Sequence, residues 1–162
     1  MISFDFNYSD YYYENKLDEL LGYEYDKLDL YEPGYVFDID GEDPFAPDCD
    51  DLIRLHYIIR SRKVLTVLEL GVGWSTMVMA DALQKNHSDY YQEIKNILRR
   101  VDPFTLYTVD TEKKYIEITK ENLPLHVKNH VKFFTTSAYL TTFNDRVCGR
   151  IKDIPNICPD FI

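Results

Sequence analysis

A run of β-branched and aliphatic residues, Val64-Leu65-Thr66-Val67-Leu68, passes straight into Glu69-Leu70-Gly71-Val72-Gly73-Trp74-Ser75-Thr76. The next residues, through Leu83, are almost wholly apolar. An apolar run without alternation suits a strand buried on both faces, which is the interior of a parallel sheet. Gly71 permits a tight turn, and Gly73 removes a Cβ that would block a ligand. A helix N-terminus at this turn favours a negative group. Ser75 or Thr76 is placed to cap that helix. A unit of this kind cannot stand alone, so the rest of the chain must supply further strands and covering helices.

It does so in alternation. Leu52, Leu55 and Ile59 predict a helix over 51–62, capped by Asp50 or Asp51. The turn is followed by a buried helix over 76–83 and a second helix over 88–100, whose stripe is Tyr91, Ile94, Ile97 and Leu98. Residues 104–109 form the next strand, and Thr111 caps a helix through Asn122, stopped by Pro124. Val131, Phe133 and Thr135 alternate along a third strand, and Pro159-Asp160-Phe161-Ile162 begins a fourth. Repeats of this length imply right-handed crossovers and a parallel sheet covered on both faces, an α/β fold.

Charge divides the chain. Residues 1–51 hold 16 acids and only Lys16 and Lys27, a net of −14, whereas residues 52–162 carry a net of +4. The acidic segment also holds 8 of the 14 tyrosines, so it has much to bury. It reads as an ordered extension over 1–50, with a short helix over 15–21, a turn at Pro33-Gly34 and an extended Tyr35-Val36-Phe37. The rival reading is a negatively charged docking surface for a protein partner, or a nucleic-acid mimic. The overall charge of −10 disfavours nucleic acid, whose phosphates demand surplus Lys and Arg. No apolar run reaches the length of a membrane span, and Met1-Ile2-Ser3-Phe4-Asp5 lacks a signal-peptide pattern. Cys49, Cys148 and Cys158 are odd in number and irregularly spaced, which suits a reduced cytoplasmic protein.

Two ligand classes compete for the glycine turn. A dinucleotide fingerprint wants a third small residue where Thr76 stands, and a P-loop wants a lysine that is absent. Glu69, two positions before Gly71, instead complements a cation such as the ammonium and sulfonium of S-adenosylmethionine. Here the sequence resembles the class I S-adenosylmethionine-dependent methyltransferases, a Rossmann-like family. Residues 64–76 look like its first cofactor motif. Phe104-Thr-Leu-Tyr-Thr-Val-Asp110 looks like its second strand, whose terminal acid grips both ribose hydroxyls. Thr135-Thr136-Ser137-Ala138 stands where the family contacts adenine, Ser137 at its polar edge and Ala138 leaving room for the ring. Cys158-Pro159-Asp160-Phe161-Ile162 looks like entry into the fourth strand.

The resemblance covers residues 50–162 and implies S-adenosylmethionine as cofactor. It implies Glu69, Gly71, Gly73, Trp74, Ser75, Asp110, Thr111, Ser137 and Ala138 around the cofactor, and an unidentified methyl acceptor. Asp110 reads equally as a cap for the helix after it, and Trp74 as a packing residue beside the pocket. From Gly73 to Asp110 is 37 positions, against about 20 in nucleotide-binding α/β folds, so 85–101 is expected to be a helical insertion. The family continues beyond a fourth strand, so this sequence is expected to supply the cofactor half alone. Such a half would self-associate through its open fourth-strand edge. A non-catalytic remnant acting as an interaction module is the alternative, and an NAD-type oxidoreductase a distant third. His126 and His130 are four apart, but Pro124 and the strand at Val131 leave no room for a helix to pair them on a metal.

Overall fold

The computed structural model describes residues 6–25, 27 and 47–162. In chain order its elements are α1 (Tyr8–Glu14), α2 (Leu17–Leu21), α3 (Cys49–Ser61), β1 (Thr66–Leu70), α4 (Trp74–Ile94) and β2 (Thr105–Asp110). Then come α5 (Lys113–Asn122), α6 (Leu125–Lys128), β3 (Val131–Thr135), β4 (Ala138–Phe143) and β5 (Arg146–Ile151). Strands β1, β2 and β3 form a parallel sheet in that order, and helices connect each successive pair. Thr66 pairs with Thr105 and Leu70 with Val109; on the other side Leu106 pairs with Val131 and Asp110 with Thr135. The fold is therefore mixed α/β with a helix-flanked parallel sheet, as the alternating pattern predicts.

On the outer side of β1 the expected fourth strand is a single parallel bridge, Val67 to Phe161. The Leu68 N–H donates to the Phe161 carbonyl at 2.9 Å, and the Asp160 N–H to the Thr66 carbonyl at 2.8 Å. Asp160 fastens this contact. Its Oδ2 accepts from the Leu65 and Thr66 N–H groups, both at 3.1 Å, and its two oxygens take a forked pair of bonds from Arg100 at 2.7 and 2.8 Å. Asp160→Ala is expected to cost about 2 kcal/mol. It should first accelerate amide exchange at Leu65 and Thr66; unchanged exchange there would mean the carboxylate does not hold the segment.

Strand β1 begins two residues later than the apolar run, at Thr66, which leaves Glu69 inside the strand. Helix α3 starts at Cys49, and its cap is Asp48, whose carboxylate accepts from the Asp51 N–H at 3.1 Å; Asp50 and Asp51, the expected caps, lie in the first turn. The helices expected over 76–83 and 88–100 are one continuous helix, α4, and it ends at Ile94. Asn86 is a poor helix residue, yet it sits fully buried in the middle of α4. Its amide donates to the Ile59 and Val64 carbonyls at 3.0 and 3.1 Å, and these tertiary bonds override its local preference. Beyond Ile94 the expected stripe does not form, and Ile97 is 76% exposed. Arg100 turns instead to Asp160 and the Thr66 hydroxyl.

The tyrosine run lies on a helix. Asn7 caps α1 by accepting from the Asp10 N–H at 3.2 Å, and Tyr12, Leu17 and Leu21 are buried in one core with Ile53, Ile59, Val67, Val78, Leu83 and Leu106. The expected turn at Pro33-Gly34 and extended piece at Tyr35–Phe37 lie outside the described residues. After β3 comes an unexpected antiparallel hairpin, β4–β5. Its two-residue loop, Asn144-Asp145, has φ of 49° and 61°, the paired positive values of the turn that matches strand twist. Among the described residues no helix is long and apolar enough to cross a membrane.

Candidate functional site

The glycine turn joins the carboxyl end of β1 to the first turn of α4. Gly71 has φ of +100°, which favours glycine, and its N–H donates to the Val109 carbonyl at 2.8 Å. Gly73 is extended, and a Cβ there would meet nothing within 4 Å. No packing within the described structure calls for a glycine at this position. The turn is open on the side where that Cβ would stand.

Beneath it lies Glu69, 7% exposed. Its Oε1 accepts from the Ser75 hydroxyl at 2.6 Å and its Oε2 from the Thr76 hydroxyl at 2.7 Å. Thr76 Oγ1 in turn accepts from the Gly73 N–H at 3.0 Å. Burial pushes the Glu69 carboxyl up to about 7, with the Asp110 charge adding to the rise, against the lowering contributed by Ser75, Thr76 and Thr108. The Thr108 hydroxyl also donates to the Gly71 carbonyl at 3.0 Å, which ties the turn to the neighbouring strand.

Asp110 closes the other side. Although 37 positions separate it from Gly73, the β1–β2 register puts it one residue beyond the partner of Leu70. Its Oδ2 accepts from the Val72 N–H at 3.1 Å and its Oδ1 from the Glu112 N–H at 2.7 Å. The extra chain length is taken up by α4 and the turns after it, where an insertion was expected. None of the ion pairs among the described residues involves Glu69 or Asp110. Two carboxylates therefore flank one open turn without a cation between them, an arrangement that attracts a positive ligand.

The structure thus brings together Glu69, Gly71, Gly73, Ser75 and Asp110. Thr111 is exposed and does not cap α5, which starts at Lys113; the Glu112 N–H goes to Asp110 instead. Ser137 and Ala138 stand at the base of the hairpin, where the Lys152 N–H donates to the Ser137 carbonyl at 2.9 Å. The Thr136 N–H donates to the Asp110 carbonyl at 2.8 Å, so this segment shares the carboxyl end of the sheet with Asp110. Trp74 turns toward α2, edge-on to Tyr23 with ring centroids 5.8 Å apart. His126 and His130 are not a ligand pair. A short helix, α6, does form there, but His126 faces Asp81 at 3.7 Å and His130 Nδ1 bonds the Phe104 carbonyl at 2.9 Å.

Sequence reasoning missed Thr119, which lines a cavity beside Trp74. The spacing of Ile116, Thr119 and Leu123 places it on the apolar stripe of α5, a signal that was readable. Comparison with known proteins finds no matching family model, no matching curated protein and no matching solved structure.

Proposed function

We propose that the open turn binds S-adenosylmethionine, and that the chain is an S-adenosylmethionine-dependent methyltransferase or its cofactor-binding part. The observation that carries this reading is the pair of carboxylates without a cation, Glu69 buried and Asp110 half-buried, on either side of Gly71-Val72-Gly73. The bound cofactor would supply an electrophilic methyl group on a positively charged sulfur. Glu69 holds the turn through Ser75 and Thr76 and places negative charge beneath the cationic end. Gly73 leaves room for close approach. Asp110 offers two acceptor oxygens to the ribose diol by exchanging its bonds to Val72 and Glu112. Ser137 and Ala138 border the adenine side. Thr76 speaks against a dinucleotide, because its fully buried side chain stands where that fingerprint needs a glycine or alanine.

Calorimetry tests this directly. S-adenosylmethionine should bind more tightly as pH rises through about 7, because Glu69 then carries its charge. S-adenosylhomocysteine, which lacks the sulfonium, should show a weaker dependence. Asp110→Ala should weaken both by roughly 10- to 100-fold, the loss of charged hydrogen bonds to a diol. Absence of binding at millimolar cofactor would sink the reading.

A second reading, a protein-interaction module, draws on the hairpin. One face of β4–β5 presents Leu140 and Val147, 79% and 73% exposed. Apolar side chains at that exposure on a two-stranded hairpin are suited to a protein partner.

A further inference from the structure

The two faces of the β4–β5 hairpin differ in chemistry. The register sets Tyr139 opposite Arg150, Thr141 opposite Cys148 and Phe143 opposite Arg146. Side chains opposed across a ladder share a face, as does every second residue along a strand, so these six stand together. Leu140 and Val147 belong to the other face. The Lys152 ammonium lies 5.1 Å from the centre of the Tyr139 ring, which brings a third cation to the first face. Phe143 is 71% exposed, and both arginines are exposed. Strands β4 and β5 pack chiefly on each other, and a two-stranded ribbon standing alone is marginal in water. The face therefore calls for a cover that is acidic and partly aromatic.

The chain itself carries that complement. On α1, Asp10 and Glu14 are exposed, and Tyr13 beside them is 45% exposed. Residues three and four apart on a helix are neighbours, so the three make one patch. None of the ion pairs among the described residues includes Asp10, Glu14, Arg146, Arg150 or Lys152. Helix α1 packs against α2 and α3, so the opposite charges of one chain stay apart.

We propose that two copies of this chain associate about a twofold axis, with the cationic, aromatic face of each hairpin docked on the Asp10–Glu14 patch of the other copy's α1. The axis repeats the contact, so each pair of copies gains it twice. Arginine forks onto carboxylates, and Phe143 and Tyr139 add the apolar area that a bare ion pair lacks. The proposal uses neither the cofactor reading nor the Leu140–Val147 face.

Sedimentation of the full chain, without cofactor, tests it by charge exchange. The unaltered chain should dimerise reversibly as its concentration rises. One variant combines Arg146→Glu with Arg150→Glu, and a second combines Asp10→Lys with Glu14→Lys. Each should weaken the dimer by roughly 100-fold, since several surface pairs are reversed in both contacts at once. The second variant carries less net negative charge, so overall repulsion does not explain its loss. Mixed one to one, the two variants should dimerise like the unaltered chain, because each hairpin again meets opposite charge. Rescue also shows that both variants fold. Phe143→Ala, which alters no charge, should weaken the dimer by roughly five- to tenfold. A chain that stays monomeric, dimers that both variants keep, or folded variants without rescue on mixing would each overturn the proposal. Persistent dimers would move self-association to another surface, such as the outer edge of β1. A monomer whose arginines bind a labelled single-stranded oligonucleotide would assign the hairpin to nucleic acid instead.

Discussion

Replacing Glu69 by glutamine is expected to stabilise the protein by about 2–3 kcal/mol at pH 8 and by almost nothing at pH 4. The unfolded carboxyl titrates near 4.5 and the folded one near 7, because burial without a cation disfavours its charge. The native state therefore holds this proton more tightly than the unfolded state. Its contribution is fully present below pH 4.5 and is lost as pH rises through 7. Glutamine removes the charge, keeps one acceptor for a hydroxyl, and adds a donor that the oxygen of the other can accept. Urea denaturation of both proteins at the two pH values measures the difference. An equal effect at pH 4 and pH 8 would refute it. If the turn binds a cation, the same substitution should weaken that binding while it strengthens the fold, the pattern expected where a site retains an unfavourable charge for use.

The second large effect is destabilising. His56→Ala is expected to cost about 4 kcal/mol, because it leaves buried polar groups unpaired and opens a cavity. His56 is fully buried. Its Nδ1 lies 2.8 Å from the Tyr11 hydroxyl and its Nε2 lies 2.9 Å from Asp81, whose carboxylate also meets Lys85 at 2.5 Å. A neutral ring that donates to Asp81 and accepts from Tyr11 satisfies both contacts. Burial lowers the His56 pKa, with the nearby Lys85 and Arg60 charges lowering it further, against the raising effect of Asp81. The unfolded histidine takes up a proton as pH falls through about 6.5, so this group loses stability toward acid. Glu69 gains stability over an overlapping range, so the two slopes oppose each other. Glu69→Gln should therefore steepen the acid-side loss, and His56→Ala should reduce it, leaving the smaller loss from His87, whose pKa burial also lowers. Chemical denaturation reads both. A cost below 1 kcal/mol for His56→Ala would show that α1 is held by packing alone. A full cost should be accompanied by release of α1 and faster proteolysis around Asn15, whose carbonyl accepts from Lys85 at 2.6 Å.

Much of the sheet was legible because its signals are local. An apolar run into Gly71-Val72-Gly73 specifies strand, turn and helix through neighbours in the chain, and β3 follows from alternation at Val131, Phe133 and Thr135. The β4–β5 hairpin was less legible: Asn144 and Asp145 both tolerate positive φ, but their pair lacks the glycine of the usual two-residue turn, and β5 carries Arg146 and Arg150. The continuity of α4 was not legible. Asn86 and Ser88 argue for a break, and tertiary bonds hold the first of them in helix: its amide donates to the Ile59 and Val64 carbonyls, and its oxygen accepts from Arg60 at 2.6 Å.

What the sequence alone determined is the class of fold and the chemistry of the turn: parallel strands, a glycine bend that requires positive φ, and an acid placed just before it. Tertiary structure decided which distant groups meet. Register carried Asp110 to the Val72 N–H across 38 residues, and folding set Tyr11 against His56 across 45. It also buried Glu69 without a cation and raised its pKa, and it enclosed the Thr119 hydroxyl without a hydrogen-bond partner. Backbone conformation and periodicity depend on near neighbours, so sequence can specify them. Desolvation and pairing depend on what the rest of the chain brings to the same point in space.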